Sequence, residues 1–261
     1  MKLLTLPING GALECLRFGA GGKPLILLPG LSLQTVKGAA LPLAYLYRLF
    51  SKEYTIYILD KKSIVPEGYT LQDLAKDTAA AMDLLNLRSA DIFGVSLGGM
   101  IAQYLAASRP DLTRKMVLAV TASRPNETMQ KVANDWIAMA EQRKYAALTA
   151  DILEKMYSPA YLKKYRPLTP FLAKLIKQKN LSRFIALAKS CLTCNAYAAL
   201  DKISCSVFVI GGKQDAVVTS QASEELAAKL RCKMYLYSDL GHAAYEEAPD
   251  FNWRVYQFLT E

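Results

Sequence analysis

His242 is the only histidine in a chain of 261 residues, and it closes a short apolar run near the C-terminus. An unassisted serine hydroxyl is a poor nucleophile, so a serine that attacks carbon needs a base within proton-transfer reach. With one imidazole available, that base has one strong candidate. Far upstream, Gly94-Val95-Ser96-Leu97-Gly98 gives a G-x-S-x-G sequence, and between the two lies Asp215, at the end of the apolar stretch that starts at Val207. Serine, acid and histidine thus occur in an order that acyl transfer can use. Ser96 would be the nucleophile and His242 the general base and then general acid, while Asp215 orients the imidazole and stabilises the imidazolium, staying ionised itself. Asp239 is the rival acid, but it sits three positions from His242 on the same loop. From there a carboxylate rarely reaches the ring nitrogen that faces away from the serine.

Each of these features also has a purely structural account. A G-x-S-x-G run serves as a tight turn, a lone histidine as a satisfied surface residue, and an aspartate after a strand as a helix cap. Their setting favours chemistry. Ala90–Phe93 reads as a strand ahead of Ser96 and Gly98–Ser108 as a helix behind it, the strand-turn-helix context that a nucleophile elbow requires. So sharp a turn brings backbone close on either side, and side chains at Gly94 and Gly98 would collide. Ser96 is thereby pushed out toward a substrate. All three candidates fall at the C-terminal ends of predicted strands, where open α/β sheets place their sites.

Those strands belong to a larger rhythm. Apolar runs bounded by turn residues occur at Leu3–Leu6, Leu13–Phe18, Pro24–Leu28, Tyr54–Leu59, Ala90–Phe93, Met116–Val120, Ser206–Ile210 and Lys233–Tyr237. The later ones are continuous rather than alternating, as in parallel strands covered on both faces. Helix-period segments lie between them. In Thr70–Leu87 one stripe collects Leu71, Leu74, Ala75, Thr78, Ala81, Met82 and Leu85, and Thr70-Leu-Gln-Asp73 has the form of a capping box with Asp in place of Glu. Further helices are expected around Glu224–Leu230 and from Pro249 onward. The alternation predicts an α/β fold, a mostly parallel central sheet with helices on both faces. From about Arg124 to Leu200 only helical patterns remain, punctuated by Pro159, Pro167 and Pro170. The expected organisation is a core of residues 1–123 and 201–261 with a helical cap, or lid, inserted over 124–200.

Elbow, acid loop and histidine loop together make the chain resemble the α/β-hydrolase superfamily over nearly its whole length. The resemblance is carried by Gly94–Gly98, by Val207–Asp215 and by Leu240-Gly241-His242 with Glu246, Pro249 and Phe251. It implies the catalytic set Ser96, Asp215 and His242. It also implies an oxyanion pocket of two backbone N–H groups. One is that of Leu97, directly after the nucleophile; the other is that of Leu31, after the glycine of Pro29-Gly30-Leu31-Ser32. Two departures stand out. The family commonly has His-Gly where this chain has Pro29-Gly30, which removes a loop-stabilising histidine but no backbone donor. Lys61-Lys62-Ser63 follows Asp60 where relatives frequently carry a glycine-rich loop. A nucleophilic aspartate would suggest dehalogenase or epoxide hydrolase chemistry, but position 96 is a serine. The resemblance therefore points to a carboxylesterase-like serine hydrolase for small or medium acyl chains, working through an acyl-enzyme that water resolves.

Composition excludes several other classes. An apolar fraction of 52% with 21% charged residues excludes a disordered chain. The N-terminus starts like a signal peptide, but Pro7 and Asn9-Gly10-Gly11 cut its apolar run short, and no stretch reaches the roughly 18 apolar residues of a membrane span. A cytoplasmic protein is expected. The scattered Cys15, Cys191, Cys194, Cys205 and Cys232 make no disulfide framework, and Cys191-Leu-Thr-Cys194 has metal or redox spacing without further ligands. Buried, inert thiols are expected. No metal or organic cofactor is called for, since the chemistry is complete without one.

The net charge of +9 is uneven, with 13 Lys/Arg against 5 Asp/Glu between Arg124 and Leu200. No helix-turn-helix, RNP or zinc-knuckle pattern accompanies this basicity, so nucleic acid is not an expected partner. Within the insertion, Phe171, Leu172, Leu175 and Ile176 oppose Lys174, Lys177 and Lys179. This is read first as a cap helix with a solvated lysine face, and second as a docking surface for an anionic membrane or an acidic substrate. Trp136, Met139, Met156, Tyr157 and Phe184 are candidates for the wall of an acyl pocket. Two other readings stay open on the same fold, a ligand receptor with little or no turnover and an acyltransferase. Oligomeric state leaves no mark in the sequence.

Overall fold

A computed structural model describes residues 1–165 and 181–261. Strands form where the apolar runs predict them: β1 Lys2–Ile8, β2 Gly11–Phe18, β3 Lys23–Leu28, β4 Tyr54–Leu59, β5 Ala90–Val95, β6 Thr113–Ala119, β7 Ser206–Gly212 and β8 Lys233–Tyr237. They make one sheet in the order β1-β2-β4-β3-β5-β6-β7-β8. β1 and β2 are an antiparallel hairpin and β2 runs antiparallel to β4, while β4, β3, β5, β6, β7 and β8 are parallel.

Double-sided burial explains why the central runs show no alternation. In β3, Ile26 and Leu28 enter one core and Leu25 and Leu27 the other; Ile92 and Phe93 in β5, and Val209 and Ile210 in β7, divide the same way. Such strands have no polar face to display. Each fully buried side chain of this size contributes roughly 1.5–3 kcal/mol. The second core is the aromatic one. Phe93 stacks on Phe251 at 6.4 Å between ring centres and meets Phe50 edge-on at the same distance, which fastens the C-terminal helix Phe251–Thr260 against the sheet.

The helix Leu71–Leu84 begins at the expected capping box: Asp73 N–H donates to Thr70 Oγ1 and Thr70 N–H to Asp73 Oδ2, both at 3.2 Å. Its predicted stripe is buried, except that Leu85 is only partly so. Between β6 and β7 the described residues hold helices and no strand: Glu127–Glu141, Tyr145–Met156, Pro159–Tyr165 and Leu181–Leu192, followed by the 3-10 turn Tyr197–Lys202. Trp136 Nε1 donates to Asp151 Oδ2 at 2.7 Å and ties the first two together. The amphipathic stretch with Phe171, Leu172, Lys174, Leu175, Ile176, Lys177 and Lys179 lies outside the described residues. Among those described, no helix is long and apolar enough to cross a membrane. All five cysteines are free thiols.

Candidate active site

β5 ends at Val95 and the helix Leu97–Ser108 begins two residues later, leaving Ser96 alone in the turn. Its φ of +52° is one that a residue with a side chain seldom adopts, and it persists only where the surroundings over-determine it. Here they do. Ser96 N–H donates to Ala119 O at 2.9 Å, and Ser96 O accepts from Gly99 N–H at 2.8 Å, Met100 N–H at 3.1 Å and the Thr121 hydroxyl at 2.7 Å. The flanking glycines stand where side chains would collide. A Cβ on Gly94 would lie 2.6 Å from Gly98 O, and one on Gly98 only 1.8 Å from Leu28 O.

The three residues singled out in the sequence come together at one end of the sheet. His242 Nε2 lies 3.0 Å from Ser96 Oγ, and His242 Nδ1 lies 2.8 Å from Asp215 Oδ2. The other oxygen of Asp215 accepts Val217 N–H at 2.8 Å and Val218 N–H at 2.9 Å. Burial alone would raise this carboxyl, but the His242 ring and the two backbone donors outweigh it and hold Asp215 below the usual carboxylate range. An ionised Asp215 accepts a proton-bearing Nδ1, which leaves the Nε2 lone pair facing the serine. Asp239 is exposed and, among the described residues, meets only its neighbour Ser238, whose Oγ lies 3.4 Å from Asp239 Oδ1. The acid and histidine loops are laced to each other, Gln214 N–H donating to Leu240 O at 2.9 Å. The helix Tyr145–Met156 joins them, Ala243 N–H donating to Met156 O at 2.8 Å.

Gly30 closes over Ser96, since a Cβ there would lie 3.3 Å from Ser96 Cβ. Leu97 opens its helix, where backbone N–H groups lack intrahelical acceptors, and Leu31 lines the cavity beside Gly30, Ser96 and His242. The Pro29–Leu31 stretch has no regular secondary structure, and charged residues just past β4 hold it. Lys61 Nζ donates to Gly30 O at 3.1 Å and also to Pro29 O, while Asp60 Oδ2 accepts Val36 N–H at 2.8 Å. From the helix Leu181–Leu192, Arg183 pairs with Asp60 Oδ1 and donates to Lys61 O at 3.1 Å and Lys62 O at 2.8 Å. Lys62 in turn pairs with Asp77 at 3.0 Å. Asp60, Lys61, Lys62 and Arg183 are all at least nine-tenths buried, a costly arrangement that stands because every charge has partners. Burial, reinforced by Arg183 and opposed by Asp60, pushes the Lys61 ammonium down to about 8.

A cavity of about 650 Å³ opens in front of Ser96, within the usual range for small-molecule sites. Of the five proposed wall residues, Trp136, Met156, Tyr157 and Phe184 line it, whereas Met139 packs against the first core instead. Thr121, Asp60, Lys61 and Arg183 were not legible as site residues. The only trace of Asp60 and Lys61 was a charged run directly after an apolar strand, and Arg183 left none, since the partners lie 24 to 123 positions apart.

Known proteins share this architecture. Residues 23–249 match the family model described as alpha/beta hydrolase fold. The chain is 24% identical over 260 residues to 3-oxoadipate enol-lactonase 2 of Acinetobacter baylyi, a match covering 96% of this chain and 94% of that protein. The enol-lactonase structure from Burkholderia xenovorans superposes with a TM-score of 0.86 at 23% identity, covering 99% of this chain and 100% of that one. An esterase from Exiguobacterium antarcticum does so with a TM-score of 0.83 at 17% identity over 100% of both chains. Identities this low speak for the fold, and the family model adds the sequence across most of the length. With the eight-stranded sheet and the strained elbow between β5 and its helix, they place the chain in the alpha/beta hydrolase fold family.

Proposed function

We propose that the protein is a serine hydrolase that cleaves carboxylic esters, cyclic esters included, through an acyl-enzyme on Ser96. The reading is carried by the unbroken relay from Ser96 Oγ to His242 Nε2 at 3.0 Å and from His242 Nδ1 to Asp215 at 2.8 Å. As Oγ attacks the carbonyl carbon, its proton passes to Nε2, and the imidazolium is stabilised by the buried Asp215 carboxylate. Charge developing on the carbonyl oxygen meets the N–H groups of Leu97 and Leu31, fixed before the reaction begins. Collapse breaks the bond to the leaving oxygen, which takes the proton from Nε2. Water then repeats the sequence against the acyl carbon. In a lactone the leaving hydroxyl stays tethered to the acyl chain, which a cavity of about 650 Å³ can hold. The names of the relatives, two enol-lactonases and an esterase, support ester and lactone substrates. Residues 124–200 are read as the cap that shapes acyl preference, because Trp136 and Phe184 form part of the wall.

The test is covalent labelling with a fluorophosphonate followed by peptide mapping, alongside turnover of p-nitrophenyl esters and a lactone panel. The expected result is a label on the peptide containing Ser96, absent from Ser96→Ala, whose melting temperature stays near wild type. A wild-type protein that neither labels nor turns over, yet is stabilised by a small molecule, would make it a receptor. An acyl group recovered on an added alcohol in place of water would make it a transferase.

A further inference from the structure

Lys61 is not accounted for by the relay, although it is a buried ammonium whose side chain ends on the loop above the nucleophile. Its Nζ donates to the carbonyls of two consecutive residues, Pro29 and Gly30. The second carbonyl belongs to the peptide group whose nitrogen is that of Leu31. A trans peptide is planar, with its C=O and N–H pointing in opposite directions. Anchoring the oxygen therefore decides where the hydrogen points.

We propose that Lys61 is a positioning residue of the oxyanion pocket: by holding the Gly30 carbonyl it aims the Leu31 N–H at the oxygen of the tetrahedral intermediate and polarises that N–H as a donor. The inference rests on the serine-hydrolase reading above. Three observations support it beyond the bond itself. Gly30 lies against Ser96, with its Cβ position 3.3 Å from Ser96 Cβ, so this peptide borders the reacting centre. The loop lacks regular structure of its own, so its peptide planes need outside anchors. Asp60, the preceding residue, fixes the far end of the same loop through Val36 N–H at 2.8 Å, so adjacent side chains brace it at two points. A charged donor on the carbonyl strengthens the N–H on the other side of the same amide, because hydrogen bonds in series polarise one another.

The groups that face Lys61 are Asp60 beside it and, from the helix Leu181–Leu192, the Arg183 guanidinium and the titratable Cys191 thiol; burial dominates, Asp60 opposes it and Arg183 adds to it, and the ammonium comes down to about 8. Below that value the full charge sits on the loop. Above it the amine becomes a weaker donor and the polarisation is lost.

The experiment compares wild type, Lys61→Met and Lys61→Arg for kcat/KM on p-nitrophenyl acetate from pH 6.5 to 9.5, with fluorophosphonate labelling run first on wild type. Expected are an alkaline decline near pH 8 in wild type and, in Lys61→Met, a loss of about 10- to 100-fold with no such decline. Lys61→Arg should recover part of the rate with no decline in this range, since guanidinium stays charged. A Lys61→Met protein with the wild-type rate overturns the proposal. So does one that is slow yet keeps the alkaline decline, because it marks a merely structural role. Should Lys61→Met fail to fold, a flat wild-type profile from pH 7 to 9.5 overturns it without any variant. An unlabelled wild type sinks the hydrolase reading and takes this inference with it, whereas a labelled wild type with an indifferent Lys61→Met sinks this inference alone.

Discussion

The Thr121 hydroxyl donates to the carbonyl oxygen of Ser96 at 2.7 Å, so a residue two positions past β6 helps to hold the elbow of β5. With Gly99 N–H, Met100 N–H and the bond from Ser96 N–H to Ala119, it fixes both sides of a residue at φ +52°. Thr121→Val keeps the shape and removes this donor. It should cost about 0.5–1.5 kcal/mol, read by urea unfolding, and should slow acylation more than it changes KM, because the serine backbone loses one of its restraints.

Gly98 is the tightest approach in the site. A methyl there would lie 1.8 Å from Leu28 O and 2.9 Å from Pro29 O, so both the end of β3 and the loop after it would have to move. Gly98→Ala is expected to be destabilised by about 1–3 kcal/mol or more and to lose labelling at Ser96. A folded, fully labelled variant would show that the turn relaxes freely.

Asp215→Asn keeps the size of the side chain but favours the wrong imidazole tautomer, and a fall of about 10³- to 10⁴-fold in kcat is expected. The sign of its acid effect follows from the same charge. Asp215 is held below the usual carboxylate value in the fold, so its stabilisation is present above the unfolded value of about 3.9 and is lost as pH falls through the lower folded one. Stability of the variant should therefore decline less than that of wild type between about pH 4 and 2.

Lys61 gives a dependence of the same sign at high pH, from a charge that the fold disfavours. Its ammonium is lowered to about 8 in the fold against 10.5 for the free side chain, so in that window the unfolded chain binds more protons and stability rises with pH. Chemical unfolding from pH 7 to 9.5 should show this rise in wild type and a smaller one in Lys61→Met. Stability and rate would then move apart over the same range.

The thiols should be inert in the native protein. Burial raises Cys15, Cys191 and Cys194 to about 12 and Cys205 and Cys232 to about 11, so thiolate is scarce at pH 8. Iodoacetamide should leave the native mass unchanged and add five groups after denaturation. Rapid modification of Cys191, which faces the cavity, would contradict this.

What the sequence disclosed, and what it withheld, divides by range. β4 and β8 were legible to the residue because their apolar runs end at turn residues, and the Thr70–Asp73 cap because capping is local. Ser96, Asp215 and His242 could be named because each sits where a strand stops. The bracing of the loop at Pro29–Leu31 could not be read. The bond between Arg183 and Asp60 spans 123 positions, and a lysine followed by another lysine looks like solvated surface until the helix Leu181–Leu192 covers it. The Ala40–Leu46 helix was also missed, because none of its residues is buried and so it prints no stripe.

The tether from Arg183 to Asp60 has a consequence for protein engineering. If the helices between β6 and β7 were exchanged for those of another family member, the chimera would arrive without the guanidinium that neutralises Asp60. The orphaned carboxylate would cost about 3–5 kcal/mol and loosen the strand end from which Lys61 projects. Transplanted segments should therefore travel together with their own residues at positions 60 to 62, as one inherited unit split across the chain.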